Sequence, residues 1–276
     1  MALNNIRDGA LREVFDALEE AFTVNGADYY IIGALAKDLW YSKGGKFMRQ
    51  TKDVDFAVLV GSQKDFENIK EYLRTHKNFR ASKGNSFVML APDGAQVDIL
   101  PFGEIEIDDT VEMAGDGLTK IKVNGFREVY EGGTELVELG TAHRFEAATL
   151  PSIVLLKLIA FDDRPDERDN DPGDIADIID HFFDLKADLI YENHSDLFGE
   201  DTEKYTLEQV SASVIGREIK GIIAGNTGLL NRIKTILFAH IERKEDGQFI
   251  RLMTAENGKT VEENVGFLQR MLDGLQ

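Results

Sequence analysis

The sequence predicts an α+β protein in which a sheet-containing N-terminal domain is followed by a helical C-terminal domain. Short apolar segments bounded by turn residues, which are typical of strands, are concentrated before residue 150. Beyond that position apolar residues recur mainly at helical spacing. Runs of strands followed by runs of helices are typical of this class, and 276 residues suffice for two domains. We therefore expect one domain over residues 1–149 and a second over residues 150–276.

The N-terminal region begins with a predicted amphipathic helix over residues 6–22, which Asn25 and Gly26 close. A second helix is predicted over residues 63–76, and Pro92-Asp93-Gly94 predicts a hairpin turn. Strands are predicted over residues 28–33, 54–60, 86–91, 95–100, 119–123, 127–130 and 135–139.

The C-terminal region has predicted helix starts. Ser152 is the expected N-cap of the first helix and Asp171 that of the second. Thr260 and Glu263 form a capping-box pattern before the last helix, and the acidic segment 162–173 is expected to be a loop. Helices are predicted over residues 152–161, 172–185, 206–223 and 226–241, and after Thr260.

Two aspartates lead a predicted strand. Asp53 and Asp55 precede the apolar run 56–60, and residues two apart in a strand point to the same face. Adjacent carboxylates repel each other unless a cation lies between them, and hard divalent ions prefer oxygen ligands. The pair therefore indicates a metal site, although aspartate and threonine at a strand start are also typical of a turn.

A third carboxylate and a glycine turn accompany this pair. Asp98 lies in a strand whose other face carries Val97 and Ile99. Gly33 ends an apolar strand just before the helix-like segment 35–41, and such a turn directs backbone N–H groups at an anion such as phosphate. These residues together are typical of a site for a metal ion and a triphosphate.

The order Gly33-Ala34, Asp53-Val54-Asp55 and then Asp98 resembles the polymerase-beta-like nucleotidyltransferase superfamily. Its members carry a Gly-[Gly/Ser] turn, an Asp-x-[Asp/Glu] pair and a third acidic residue, so Ala34 departs from the pattern. The resemblance implies a mixed sheet flanked by helices, with a C-terminal helical domain. It also implies Mg²⁺ or Mn²⁺ held by the three aspartates, and an NTP seated at Gly33 and Ala34.

Residues after the predicted sheet indicate a particular group within this superfamily. Lys157, Ala160 and Asp174 match the Lys-x-x-Ala and later Asp motifs of the abortive-infection nucleotidyltransferases of the AbiEii type. The resemblance covers about residues 25–185 and implies that Lys157 is a catalytic residue and that Asp174 belongs to the nucleotide site. It also implies a possible antitoxin partner.

Lys157 and Asp174 each have an alternative explanation. Lys157 lies in an almost wholly apolar helix, where it either extends to solvent or is held by phosphate or an acidic partner. Asp174 suits a helix start, because acids are favourable near the N-terminus, and the stripe containing Ile175, Ile178 and Phe182 would leave it on the wetter face.

A basic stretch separates the glycine turn from the aspartate pair. It is either a solvated loop, interrupted by two glycines, or a set of cations that meet the triphosphate. Arg49 is the strongest candidate because its guanidinium binds phosphate with two parallel hydrogen bonds. The basic residues are Lys37, Lys43, Lys46, Arg49 and Lys52.

Composition excludes several classes of protein. The sequence has no cysteine, which rules out disulfides and thiolate catalysis. No apolar run approaches the ~18 residues of a membrane span, and residues 1–12 lack a signal-peptide pattern, so we expect a cytoplasmic protein that does not contact the membrane. The net charge of −19 argues against a large nucleic-acid footprint.

These patterns predict a metal-dependent nucleotidyltransferase that moves NMP from an NTP to an acceptor hydroxyl. Asp53 and Asp55 would hold the metal on the triphosphate, while Asp98 would bind a second ion and help to deprotonate the acceptor. The acceptor is a small molecule, a tRNA end or a protein hydroxyl. Two alternatives remain: a toxin of a toxin-antitoxin or phage-defence system, and a degenerate, non-catalytic member that only binds nucleotide or a protein, which Ala34 permits.

Overall fold

The computed structural model describes residues 5–45, 53–114, 117–139, 141–198 and 205–276. The chain forms two compact units. The first comprises Met1–Ser42, Phe47–Tyr130 and Thr134–Thr149, and the second comprises Lys43–Lys46, Glu131–Gly133 and Leu150–Gln276. The first is built around a mixed sheet and the second is helical in its described part, so the predicted α+β class is confirmed.

A seven-stranded sheet organises the first unit, in the order β3-β4-β5-β2-β1-β9-β8. The pairs β2–β5 and β1–β9 are parallel, and the other neighbours are antiparallel. Strands β6 and β7 form a separate hairpin. The strands are β1 Asp28–Ile32, β2 Asp53–Leu59, β3 Arg80–Ala81, β4 Val88–Leu90, β5 Gln96–Phe102, β6 Thr110–Glu112, β7 Lys120–Lys122, β8 Thr134–Glu138 and β9 Arg144–Ala148.

Helices begin and end where local chemistry favours it. In the first unit Gly26 follows the first helix with φ +63°, which glycine adopts readily. Ser62 caps the third helix, because its hydroxyl accepts a hydrogen bond from the Asp65 N–H at 3.2 Å. The helices that begin in the described part of this unit are α1 Asn5–Asn25, α2 Gly33–Lys43, α3 Gln63–His76 and α4 Phe126–Gly132.

Aromatic side chains fill the core on one side of the sheet. Phe56 of β2 contacts Phe22 of α1 and Phe145 of β9, with centroid distances of 5.7 Å in both pairs and edge-to-face geometry. Trp40 of α2 donates a hydrogen bond from its indole N–H to the Ala148 carbonyl at 2.7 Å. These contacts attach α1 and α2 to the central strands, because edge-to-face aromatic pairs and a satisfied indole are favourable in a core.

The second unit is an assembly of helices. Thr206 and Thr260 each form a complete capping box, as predicted for Thr260. None of the helices in the described ranges combines the length and apolar character that a membrane crossing requires. The helices are α5 Leu150–Asp163, α6 Asn170–Leu185, α7 Ala187–Asn193, α8 Leu207–Ile222, α9 Thr227–Arg243, α10 Gln248–Asn257 and α11 Val261–Gly274.

Several local predictions are wrong. The predicted strand at residues 127–130 belongs to α4, where Phe126 and Val129 are buried three residues apart, which is helical spacing. Ser152 is not an N-cap, since α5 begins at Leu150 and the Ser152 hydroxyl donates to the Gly133 carbonyl at 2.6 Å. Asp171 lies inside α6, which begins earlier than predicted. The expected loop 162–173 contains a 3₁₀ turn and the ends of two helices.

Candidate functional site

Two of the predicted aspartates are neighbours across adjacent strands. Asp55 of β2 lies opposite Asp98 of β5 in the parallel pair, where strands are about 4.8 Å apart. Both side chains are partly exposed. Asp53 lies opposite Gln96 in the same register, two residues before Asp55, although its side chain is outside the described part of the structure.

Gly33 packs against Asp55. Ile32, the last residue of β1, is paired with Asp55, and Gly33 follows as the first residue of α2. Gly33 has φ +66°, and a Cβ atom placed there would lie 2.5 Å from Asp55 Oδ2. Only glycine therefore fits without displacing the carboxylate, and Asp55 lies beside the start of a helix.

Asp98 is held by its own strand. Gln96 donates a hydrogen bond from Nε2 to Asp98 Oδ1 at 2.9 Å, because both side chains lie on the same face of β5. Val97 and Ile99 are buried on the opposite face, as the alternation predicted. This hydrogen bond orients the Asp98 carboxylate, which lies directly across from Asp55 in the strand register.

The predicted phosphate-binding residues differ in burial, and some of them lie outside the described residues. Ala34 is exposed in the first turn of α2. Lys37, one turn later, is only 4% exposed, and its Nζ lies 5.5 Å from the centroid of the Tyr41 ring. Lys43 is the last residue of α2, so part of the basic stretch is helical. Arg49 lies outside the described residues, as do Lys46 and Lys52.

Lys157 has two acidic partners in the second unit. Its Nζ lies 2.6 Å from Asp171 Oδ1 and 2.8 Å from Asp174 Oδ2. Burial alone would lower the pKa of Lys157, but the charges and hydrogen bonds of both aspartates outweigh it and raise the pKa above the ordinary value. Lys157 is therefore charged and paired. Of the environments predicted for it, which are solvent, phosphate or an acidic partner, the structure shows the acidic partner.

Asp171 is a polar residue whose role sequence reasoning missed. Its side chain is 7% exposed, and Oδ2 has no hydrogen-bond partner among the described residues. The sequence predicts a helix cap at this position, whereas Asp171 lies inside α6, one turn before Asp174, and its carboxylate pairs with Lys157. The three-residue spacing of Asp171 and Asp174 indicates that the two acids share one face of a helix. The sequence gives no local indication that Lys157, fourteen residues before Asp171, is their partner.

The described carboxylates suit a divalent cation. Asp55 and Asp98 offer oxygen donors from adjacent strands, the ligand type that Mg²⁺ and Mn²⁺ prefer. Among side chains within the described ranges, no group of three or more His, Cys, Asp or Glu residues is arranged to hold a metal ion. The third predicted ligand, Asp53, is outside that set.

Solved structures similar to this chain have low sequence identity to it. The solution structure of the antibiotic-resistance factor ANT(2'')-Ia is 15% identical, with a TM-score of 0.39, and the match covers 76% of this chain and 94% of that one. A crystal structure of ANT(2'')-Ia in complex with adenylyl-2''-tobramycin is 13% identical, with a TM-score of 0.39 and coverages of 75% and 98%. An antigenic nucleotidyltransferase-like protein from Paracoccidioides brasiliensis is 16% identical, with a TM-score of 0.40 and coverages of 71% and 92%.

A match to a sequence family assigns the chain. None of the functionally curated proteins matches this chain. The sequence profile described as nucleotidyl transferase AbiEii toxin, type IV TA system, matches residues 38–259, which include Asp53, Asp55, Asp98 and Lys157. Because this match spans most of the 276 residues, the chain belongs to the AbiEii nucleotidyl transferase toxin family.

Proposed function

We propose that this nucleotidyltransferase moves a nucleoside monophosphate from an NTP to an acceptor hydroxyl in a metal-dependent reaction that releases pyrophosphate. The observation that carries the proposal is the position of Asp55 and Asp98 opposite each other on parallel strands, with Gly33 and the start of α2 in contact with Asp55. Carboxylates for a cation thus lie beside backbone N–H groups suited to phosphate.

The start of α2 is the proposed seat of the β- and γ-phosphates. The first N–H groups of a helix lack intrahelical acceptors and lie at the positive end of its dipole. Gly33 keeps the backbone at this point close to the sheet, and Ala34 is exposed in the same turn. Lys37 and Arg49 are proposed to add positive charge.

Asp53, Asp55 and Asp98 are the proposed ligands of Mg²⁺ or Mn²⁺. When bound, the metal would stabilise the negative charge that develops on the attacking and leaving oxygens. Gln96 orients one of the three carboxylates through its hydrogen bond to Asp98. Gly33 restricts the position of another, because it packs against Asp55.

The proposed reaction is an in-line displacement at the α-phosphorus. The acceptor oxygen forms a bond to the α-phosphorus, while the bond from that phosphorus to the bridging oxygen breaks and pyrophosphate leaves with its electron pair. Asp98 accepts the proton of the acceptor hydroxyl. Lys157 is proposed as a further catalytic residue on the basis of its match to the Lys-x-x-Ala motif, and Asp171 and Asp174 hold its ammonium group in the second unit.

Calorimetric titration tests the site. Each of the four NTPs is titrated with and without Mg²⁺ into the wild type, Asp55→Asn and Asp98→Asn, with Asp93→Asn in an exposed turn as the matched control. We expect metal-dependent binding of at least one NTP by the wild type and the control, and its loss in the two site variants. Unchanged NTP binding by Asp55→Asn would contradict the proposal.

Transfer is tested with the same variants. An α-phosphate-labelled NTP is incubated with small-molecule hydroxyl acceptors, tRNA and protein, and the label is followed into each. We expect labelling by the wild type and none by Asp55→Ala, which should remain folded because Asp55 is only partly buried. NTP binding by the wild type without transfer of the label to any acceptor would instead favour the non-catalytic alternative that Ala34 permits.

A toxin role is the second candidate, because the matching family is described as a toxin of a type IV toxin-antitoxin system. We propose that the transferase activity arrests growth and that a neighbouring gene encodes an antitoxin. Induced expression of the wild type should slow growth, while Asp55→Asn should not, and co-expression of the neighbouring gene should restore it. Equal growth arrest by both forms at equal protein levels would separate toxicity from the proposed site.

A further inference from the structure

An aromatic cluster lies on the surface of the second unit. It consists of Phe183 of α6, Tyr191 of α7 and Phe198 of the 3₁₀ turn Ser195–Phe198. Tyr191 and Phe198 are stacked, with ring centroids 5.2 Å apart and an interplanar angle of 26°. Tyr191 is 56% exposed and Phe198 39% exposed. Two large aromatic side chains therefore meet at the surface.

Phe183 supports this stacked pair from the side. It meets Tyr191 edge to face at 5.8 Å and 87°, and Phe198 at 6.2 Å and 81°. Such perpendicular contacts are favourable for aromatic rings. Because each exposed ring is held by two others, the surface is formed in advance, and a ligand need not order it on binding.

The surroundings of the aromatic cluster are acidic. Residues 183–198 contain four acids and one lysine. One of the acids, Asp196, is matched by Arg217, which donates to both of its oxygens at 2.7 and 2.6 Å. The acids are Asp184, Asp188, Glu192 and Asp196, and the lysine is Lys186.

Two of these acids lie next to Tyr191 on α7. Asp188 is one turn before Tyr191 and four residues before Glu192, so the three side chains lie on neighbouring positions of one helix. Asp188 and Glu192 are exposed and form no ion pair with any described residue. The aromatic cluster is thus bordered by negative charge that the described fold does not neutralise.

We propose that the aromatic cluster, with Asp188 and Glu192, is a docking surface for a basic protein segment. Arginine or lysine side chains of the partner would stack on Tyr191 and Phe198 while their charges pair with the two carboxylates. A cation over an aromatic face gains from the ring quadrupole, and an arginine guanidinium also stacks on it. Nucleic acid is disfavoured here, because its phosphates would be repelled by the same carboxylates.

Fluorescence anisotropy with the full chain tests the proposal. The probe is a labelled peptide of alternating arginine and glycine, at physiological ionic strength so that distant charges are screened. We expect the wild type to bind it and the dissociation constant to rise roughly tenfold in Tyr191→Ala/Phe198→Ala, since two cation–π contacts are lost. A similar increase is expected in Asp188→Asn/Glu192→Gln, which retains the rings.

Matched controls separate this surface from general attraction to an acidic protein. Phe238→Ala removes another exposed aromatic side chain of the same unit, at 57% exposure. Glu245→Gln/Asp246→Asn removes two exposed charges elsewhere in that unit. Both controls should bind the peptide as the wild type does, and a peptide of alternating glutamate and glycine should not bind.

Three results would overturn the proposal. The first is equal affinity of the peptide for the wild type and both pairs of cluster variants, which would show charge attraction alone. The second is no binding by the wild type. The third is binding of a single-stranded oligonucleotide that Tyr191→Ala/Phe198→Ala abolishes, which would assign the surface to base stacking. If the aromatic double variant does not fold, the peptide affinities of the wild type and Asp188→Asn/Glu192→Gln still test the proposal.

Discussion

At the scale of single residues, one glycine sets the position of a candidate catalytic carboxylate. Gly33 has a left-handed backbone and no room for a Cβ atom, because Asp55 Oδ2 occupies that space. Gly26 has nearly the same φ, +63°, but nothing lies within 4 Å of where its Cβ would be. An alanine at Gly26 therefore introduces backbone strain alone, whereas an alanine at Gly33 also displaces Asp55.

We predict that Gly33→Ala loses metal-dependent NTP binding, whereas Gly26→Ala retains it. Both variants should lose about 1 kcal/mol of stability, because alanine is strained at positive φ. Chemical denaturation and calorimetric titration measure the two quantities. If Gly33→Ala binds NTP like the wild type, the contact with Asp55 has no role in binding.

Lys157 provides a second prediction. In Lys157→Met the buried Asp171 loses its cation, so we expect the free energy of unfolding to fall by about 3–5 kcal/mol, the usual result of breaking a buried pair. Arg74→Met, which breaks a pair with Glu71 on the surface, is the control and should change stability far less.

The lysine pairing also has a pH dependence with a definite sign. The folded-state pKa of Lys157 is raised above the ordinary value of 10.5, so its contribution is complete below that pH. It is lost as pH rises through the higher folded-state value. The stability difference between wild type and Lys157→Met should therefore shrink as the pH rises above 10.5. A difference that grows in alkali would contradict this.

His240 should make the protein sensitive to acid. It stacks on Phe249 at 4.1 Å, its Nε2 has no hydrogen-bond partner among the described residues, and burial lowers its pKa from 6.5 to about 4. Between these values the unfolded chain binds a proton that the folded protein does not, so stability falls as pH decreases.

We predict that His240→Phe, which retains a stacked ring, removes part of this acid sensitivity. The wild type should lose on the order of 2 kcal/mol more than the variant between pH 6.5 and 4, as each pKa unit corresponds to up to about 1.4 kcal/mol. Urea denaturation at several pH values measures the difference. Parallel stability curves would show that His240 does not titrate in this range.

At the scale of elements, two glycines let a pair of helices approach closely. A Cβ at Gly216 of α8 would collide with the Met271 carbonyl of α11, and one at Gly274 of α11 would lie 2.5 Å from the Ser213 carbonyl of α8. Small residues on both helices thus allow backbone-to-backbone contact, and side chains cannot adjust to relieve a clash with a carbonyl.

Gly216→Ala should accordingly destabilise the protein by about 1–3 kcal/mol or more, because overpacking forces the helices apart. Gly221→Ala, in the same helix with open space around it, should be neutral or stabilise by up to about 1 kcal/mol. Thermal denaturation of the two variants tests this. Equal effects of the two substitutions would mean that helix propensity, and not the contact with α11, determines the change in stability.

At the scale of the whole molecule, charge is the dominant property. Fifty acidic residues oppose 31 basic ones, so the formal net charge is −19. Repulsion among like charges destabilises a compact state, and salt screens it. We predict that the midpoint of thermal unfolding rises as KCl is added, while an equal osmolality of an uncharged solute has a smaller effect. A midpoint that falls with KCl would indicate that attractive ion pairs outweigh this repulsion.

Local patterns predicted the elements that depend on neighbouring residues. The helix over residues 63–76, the hairpin around Pro92-Asp93-Gly94 and the capping box at Thr260 all follow from such patterns and are confirmed. The segment 127–130 was predicted wrongly, because burial of Phe126 and Val129 against distant residues overrides its strand propensity.

The sequence by itself determined the class of the protein and its family, since strand and helix periodicity and motif order can be read along the chain. Only the tertiary structure decided that Asp98 lies opposite Asp55, that Gly33 packs against that carboxylate and that Lys157 is bound by Asp171 as well as Asp174. Strand order and helix packing join residues distant in the chain, and no local spacing encodes which of them meet.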